Sequence, residues 1–155
     1  EYEGHSPFSA LALDFEPTVR LTRRVYLMPA IYGRVLIGEK IPAAYLNCMG
    51  GELAGRYLVQ QLPFYGIHDL ELFENSLVSG RIALRYRLGR RHYLTFTGNY
   101  AKQANNFFDL WKGDDIWGGG MGYAYNTLIG PIGVTVNTSN WEDNVGIYFN
   151  MGFYF

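Results

Sequence analysis

Residues 145–155 read Val-Gly-Ile-Tyr-Phe-Asn-Met-Gly-Phe-Tyr-Phe. Val145, Ile147, Phe149, Met151, Phe153 and Phe155 form one alternate row, and Asn144, Gly146, Tyr148, Asn150, Gly152 and Tyr154 form the other. A period of two is the mark of a strand. The second row, of glycine, amide and phenol, is too polar and too small to fill the core of a soluble sandwich. The apolar row is therefore expected to meet lipid. About ten tilted residues carry a strand across an outer membrane, and this stretch has that length and closes on an aromatic carboxylate. The competing reading is a soluble barrel strand with its apolar row inward, and the other strands decide between the two.

A chain of 155 residues suits one domain, and 17% aromatic residues with 19 Gly is high. Thirteen Tyr and three Trp point to aromatic girdles. The 13 Lys+Arg nearly balance 14 Asp+Glu, which predicts no basic field for nucleic acid or acidic lipid, so nucleic acid is not expected as a partner. Cys48 is the single cysteine, so an intrachain disulfide is impossible, and it is read as a small apolar residue. No run of 18 apolar residues is present to make a transmembrane helix. Glu1–Gly4 has neither a charged n-region nor an apolar h-region, so any export signal is expected to have been removed or to lie upstream.

Leu11, Leu13, Phe15, Val19 and Leu21 alternate with Ala12, Asp14, Glu16, Thr18 and Arg20, and Pro17 falls in the apolar register. A proline deletes a ladder donor, so this strand is expected to be an edge or to bulge at Pro17. After a turn at Thr22-Arg23, Val25, Leu27, Ile31, Val35 and Ile37 alternate with Tyr26, Met28, Ala30, Tyr32 and Arg34. A third strand places Ile82, Leu84, Tyr86 and Leu88 opposite Arg81, Arg85 and Arg87. An arginine row facing Asp14 and Glu16 of the first strand suggests a polar, ion-paired lumen, with Glu52, Glu71 and Glu74 as further carboxylate partners. Leu94, Phe96 and Tyr100 then alternate with Tyr93, Thr95, Thr97 and Asn99. In the fifth strand, 117–126, Met121, Tyr123 and Tyr125 point out while Gly118, Gly120, Gly122 and Ala124 point in. Inner glycines let another backbone or a folded-in loop approach closely. Ile132, Val134 and Val136 mark the sixth strand.

The connections fall at 22–23, 38–77, 89–91, 102–116, 127–130 and 138–143, and long ones alternate with short ones. Outer-membrane barrels have short turns at one end and long loops at the other, whereas a soluble lipocalin-like barrel has no reason for that alternation. The fold class is thus an all-β antiparallel meander, a transmembrane β-barrel of seven or eight strands. Residues 1–155 form a single outer-membrane barrel domain or barrel fragment with a long loop at about 38–77, a candidate functional loop because it has no helical period. Asp109, Asp114 and Asp115 do not match a calcium-loop spacing, so no metal and no cofactor is expected. Seven strands leave two unpaired edges, which hydrocarbon does not tolerate. The chain is therefore expected to be the C-terminal portion of a larger barrel, unless loop 38–77 hides an eighth strand or chains associate as a homo-oligomer.

Gly118-Gly119-Gly120-Met121-Gly122-Tyr123-Ala124-Tyr125-Asn126-Thr127-Leu128-Ile129-Gly130-Pro131-Ile132 resembles the glycine-alternating strand and Gly-Pro-aliphatic turn of the outer-membrane surface-antigen barrel superfamily. Its members include the assembly insertase, two-partner secretion transporters and patatin-like phospholipases with a C-terminal barrel. The resemblance covers about residues 10–155, which look like the last seven strands and so the C-terminal half of the family's sixteen-stranded barrel, and it implies a bacterial outer-membrane location. Tyr154 and Phe155 are similar to the family's sorting signal, which implies recognition of the C-terminal strand by the barrel assembly machinery. The family's inserted loop carries an Arg-Gly-aromatic tip after a glycine pair. Here Gly50-Gly51 precede Gly55-Arg56-Tyr57, with Gly and Arg exchanged. The family arginine reaches an acidic residue on the strand matching 96–101, where this chain has Asn99. Gly55-Arg56-Tyr57 with Gln60-Gln61-Leu62-Pro63-Phe64 looks most like the barrels of Bacteroidetes patatin-like phospholipases.

Two classes of function follow. The first is a noncatalytic barrel in outer-membrane lipid that anchors, or gives passage to, an N-terminal soluble passenger. Its working parts would be loop 38–77 as plug or gate, Arg56 as the anchor of that loop, and Arg81, Arg85 and Arg87 as lumen charges. The second is a small outer-membrane lipid hydrolase or acyltransferase, which requires a histidine activated beside a serine and a carboxylate. His5, His68 and His92 are the only candidates, and no Gly-x-Ser-x-Gly elbow is present. A soluble ligand-binding barrel is the remaining alternative.

Overall fold

The computed structural model describes residues 7–39, 41–51, 60–128 and 130–152. Its strands are β1 (Ser9–Phe15), β2 (Val19–Arg20), β3 (Val25–Ile37), β4 (Asn47–Met49), β5 (Gln61–Leu62), β6 (Glu71–Phe73), β7 (Ser76–Leu88), β8 (His92–Ala104), β9 (Asp114–Thr127), β10 (Gly130–Ser139) and β11 (Gly146–Met151). Eight of them form one antiparallel sheet in the order β1-β3-β7-β8-β9-β10-β11, with β2 continuing β1 along β3. The short strands of the long loop make a second sheet, β5-β4-β6. Among the described residues, β1 and β11 each pair on one side only, so the large sheet is open at both edges.

The two faces of this sheet differ as the alternation requires. Leu11 (72% exposed), Ile82 (62%) and Phe149 (82%) belong to outward rows, whereas Tyr32 (1%), Ile116 (0%) and Asn137 (3%) lie on the inner face. A soluble barrel with its apolar row inward would bury the first three and expose the others. The sheet does the opposite, and its outer face is suited to hydrocarbon.

The edge strand is interrupted without a bulge. Phe15 pairs with Ile31 and Val19 with Leu27, so the register is the same on both sides of the break. Continued through it, that register sets Pro17 opposite Pro29. The Leu21 amide donates to the Val25 carbonyl, and the Leu36 amide donates to the Asn75 carbonyl. Odd residues of β3 therefore turn their amide groups toward the edge strand. Pro17 and Pro29 meet where two ladder bonds belong, and neither has an N–H to give.

Around the second long connection the strands run farther than the sequence expectation. β7 begins at Ser76, β8 runs to Ala104 and β9 starts at Asp114, so the second long connection shrinks to residues 105–113, mostly a 3-10 turn at Phe107–Lys112. Lys102 and Gln103 pair with Asp115 and Asp114 in the ladder. Lys102 Nζ forms an ion pair with Asp115 at 2.7 Å, and the Tyr100 hydroxyl donates to the same carboxylate at 2.7 Å. Apolar alternation stops where the outer face becomes polar, while backbone pairing continues through these cross-strand contacts.

Candidate functional site

Loop residues between β3 and β7 fold back onto the inner face of the sheet. Gly50 and Gly51 make the reversal with φ of +146° and +74°, a conformation that side chains resist. The Gly50 amide donates to the Leu62 carbonyl at 3.0 Å, Gly51 to Ile67 at 2.8 Å and Phe64 to Gly51 at 2.9 Å. Met49, Phe64, Ile67 and Phe73 then form one core with Leu77, Ala101 and Ile116 of the wall. Fully burying each large member is worth roughly 1.5–3 kcal/mol. Cys48 lies in the same small sheet, wholly buried, and burial pushes its thiol pKa up. At the base, the Asn47 side-chain amide faces the carbonyls of Glu74 (2.7 Å) and Asn75 (3.0 Å), while Arg34 Nη1 donates to Asn47 Oδ1 at 3.0 Å. Asn47 thus clamps the two ends of the loop.

Two of the three inner glycines expected to admit a folded-in loop, Gly118 and Gly120, do so, whereas Gly122 faces the Thr135 side chain of the neighbouring strand. A Cβ on Gly118 would collide with the Tyr65 carbonyl oxygen, and one on Gly120 would lie 2.8 Å from Tyr65 Cδ1. The Asn99 amide donates to the Tyr65 carbonyl at 3.0 Å, and Ser139 Oγ donates to the Gly66 carbonyl at 2.6 Å. Gly66 itself, at φ +98°, is pressed against the Thr138 backbone. Tyr65-Gly66 is consequently held by three consecutive strands, β8, β9 and β10.

A second contact fixes the loop to the last strand pair. The His68 amide donates to Glu142 Oε1 at 2.8 Å, and Nδ1 of the ring pairs with the same carboxylate. The ring stacks on Tyr148 at 5.7 Å and occupies the space that a Cβ on Gly146 would need. Burial alone would raise the Glu142 pKa. The hydrogen bonds from the His68 ring and amide and from the Asp69 backbone outweigh it and hold that carboxyl below its usual range. Glu142 orients His68 as a triad carboxylate would, but the Ser139 hydroxyl is given to the Gly66 carbonyl.

The other expected site residues divide. Glu16 accepts from Tyr32 Oη at 2.8 Å and forms an ion pair with Arg81, whose guanidinium lies 5.6 Å from the Tyr32 ring centroid. Among the described residues, only Arg81 of the arginine row has a carboxylate partner. Arg85 Nε donates to Thr95 Oγ1 at 3.4 Å and Arg87 Nη2 to the Arg23 carbonyl at 3.0 Å. Glu71 accepts from the Trp141 indole, and the Glu74 carbonyl faces Asn47, so neither serves that row. Glu52, Gly55, Arg56, Tyr57, Tyr154 and Phe155 lie outside the described residues. Glu142, Asn47 and Tyr65 are contact residues that the sequence does not single out, and His68, a candidate hydrolase histidine in the sequence, is here a docking contact to Glu142. The inner-row position of Gly146 was the one available signal, and it names no partner.

The expectation of no basic field also needs correction. Asp and Glu are absent from 17–38, 75–108, 116–141 and 144–155, so the half of the described sheet bearing the short turns has no acid. A net charge near zero conceals this segregation, because a sum carries no positions.

An antiparallel wall with an apolar outer face and a loop packed on its polar inner face is consistent with part of an outer-membrane β-barrel, which further strands would have to close. The chain belongs to the OMP85 superfamily, whose family model matches residues 2–155. Members of that superfamily are outer-membrane proteins, and their barrels are generally noncatalytic. No curated protein matches the chain.

Proposed function

We propose that this barrel domain anchors, or gives passage to, a soluble passenger attached on its N-terminal side, with loop 38–77 as the plug that closes one end of the lumen. The observation that carries this reading is Tyr65-Gly66, lodged across β8, β9 and β10 over glycines that leave space only for it. A noncatalytic role fits the commitment of the Ser139 hydroxyl to that docking. A patatin-like phospholipase is the proposed passenger, supported by the sequence 60–64, in which Gln61 Nε2 donates to the Gly50 carbonyl at 2.7 Å and Phe64 is core. Outer-membrane lipid along the outward rows, the barrel assembly machinery at the C-terminal strand, and further strands or a second copy at the open edges are the partners in this reading.

Planar-bilayer conductance of the full-length protein, with and without residues 47–73, tests the plug. Removal is expected to raise conductance severalfold, and equal conductance would refute the reading. Surface proteolysis of intact cells tests the passenger: cleavage outside the cell supports passage, and protection in the membrane fraction supports anchoring. A passenger recovered free of the membrane would refute both.

A further inference from the structure

Seven of the 13 Lys+Arg residues gather at the short-turn end of the sheet. Arg20, Arg85 and Arg87 occupy inner-row positions of β2 and β7. Arg23, Arg24, Arg90 and Arg91 are in the two turns beside them. All but Arg87 are exposed, and none forms an ion pair with a described residue. Their side-chain contacts are with neutral oxygens: Arg20 Nε to the Thr22 carbonyl at 3.2 Å, and the Arg85 and Arg87 contacts given above. Glu16 is the nearest described carboxylate along the wall and is taken by Arg81. Arg85 stands four residues farther on, roughly 13 Å along the strand, beyond the screening length of about 8 Å at physiological salt.

The space in front of Arg85 is open. A cleft of about 390 Å³ is lined by Arg85, Tyr93, Thr95, Asn126 and Asn150. A neighbouring cavity of about 180 Å³ shares Arg85 and Thr95 and ends at Tyr65, where the loop closes the lumen. Gly122 and Gly133 form part of the lining, and the side chains of Thr135 and Asn150 lean over them, which presents a hydroxyl and an amide to the cavity. Hydroxyl, amide and guanidinium groups together offer donors for carboxylates and acceptors for backbone amides.

Resting on the passage-or-anchor reading, we propose that the short-turn mouth receives an extended acidic polypeptide segment. Its carboxylates pair with Arg20, Arg85 and Arg87, and its main chain lies along Thr95, Asn150 and Gly133. A lipid headgroup is the poorer occupant, because lipid covers the opposite face at this level, where Leu84, Leu88 and Tyr123 are exposed. Headgroups outside the wall reach the turn arginines but not Arg85.

The test uses full-length protein in phosphatidylcholine nanodiscs and fluorescein-labelled octapeptides of alternating Glu-Ser or Lys-Ser, read by anisotropy at two salt concentrations. The Glu-Ser peptide is expected to bind with salt-sensitive affinity and the Lys-Ser peptide not to bind. The combined R20Q, R85Q and R87Q variant should weaken binding about tenfold, each exposed charge pair being worth roughly a factor of two. Arg85→Lys, which keeps the charge, should bind nearly as the parent does and guards against misfolding of the triple variant. Equal binding of both peptides, or an unchanged affinity in the triple variant, overturns the proposal. So does an effect of the arginines confined to phosphatidylglycerol vesicles, which assigns them to the membrane surface. Peptide binding with no conductance change on loop removal would instead fault the plug and leave the acidic partner standing.

Discussion

Gly118→Ala should release the plug. The added Cβ would collide with the Tyr65 carbonyl oxygen and lie 3.0 Å from both Ser139 Cβ and the Thr138 carbonyl, so wall backbone blocks relaxation on one side. Tyr65-Gly66 must lift to ordinary contact distance, which stretches the bonds from Asn99 (3.0 Å) and Ser139 (2.6 Å) beyond hydrogen-bonding range. Two such bonds contribute roughly 0.5–1.5 kcal/mol each, and overpacking costs about 1–3 kcal/mol. Together they weaken docking by about 2–4 kcal/mol, allowing for partial recovery through water. Hydrogen exchange at the Phe64 amide, which is bonded to the Gly51 carbonyl, should then accelerate roughly 30- to 700-fold. Gly98→Ala is the control, because nothing lies within 4 Å of the Cβ position there. A Gly118→Ala protein that folds, shows heat-modifiable migration and keeps parental exchange at Phe64 would refute the seating of the loop on β9.

On the outer face, Phe149→Arg should impair insertion at a cost of about 2–4 kcal/mol near the midplane, whereas Asn150→Ser on the inner row should not; equal membrane-fraction yields would contradict the orientation. A cysteine at 85 should react with a water-soluble maleimide and one at 84 with a membrane-soluble reagent, and the reverse preference would show the faces exchanged. Because the Glu142 pKa is lowered in the folded protein, its contribution to docking is complete above the unfolded carboxylate value of about 4.3 and is lost as pH falls through the lower folded value. Trp141 fluorescence, in a background with Trp111 and Trp117 replaced by Phe, should report this loss, and Glu142→Gln should flatten the profile. An unaltered acid transition in that variant would remove Glu142 from the coupling.

Much of the wall was legible, because alternation is a local property. Val145, Ile147, Phe149 and Met151 announce their face with no knowledge of the rest of the chain, and Gly118, Gly120 and Gly122 announce a close approach from within. The strand ends were less so, since the sequence signal is apolarity and the ladder outlasts it at Lys102–Asp115. The plug contacts were not legible. His68 and Glu142 are 74 residues apart, and neither carries a pattern that selects the other; only the placement of both on the fold makes them a pair. The arginines of the short-turn mouth were visible singly, but their grouping depends on β2 lying beside β3 and β3 beside β7.

The paired prolines of the edge also set how that edge comes away. With no bonds between Pro17 and Pro29, the outermost strand is held by two separate zippers: the seven paired residues of β1 and the shorter run from Val19 to Leu21. Opening one does not strain the other, so peeling proceeds in two stages and halts at the gap. The sheet is also free to crease there, which concentrates curvature at a level where a rolled wall needs it. The two bare carbonyls at the crease sit beside Glu16, on the inner side of which Arg81 and Tyr32 gather. Water that satisfies them would come from that polar inner side, because Phe15 and Val19, which flank the gap, turn apolar side chains outward.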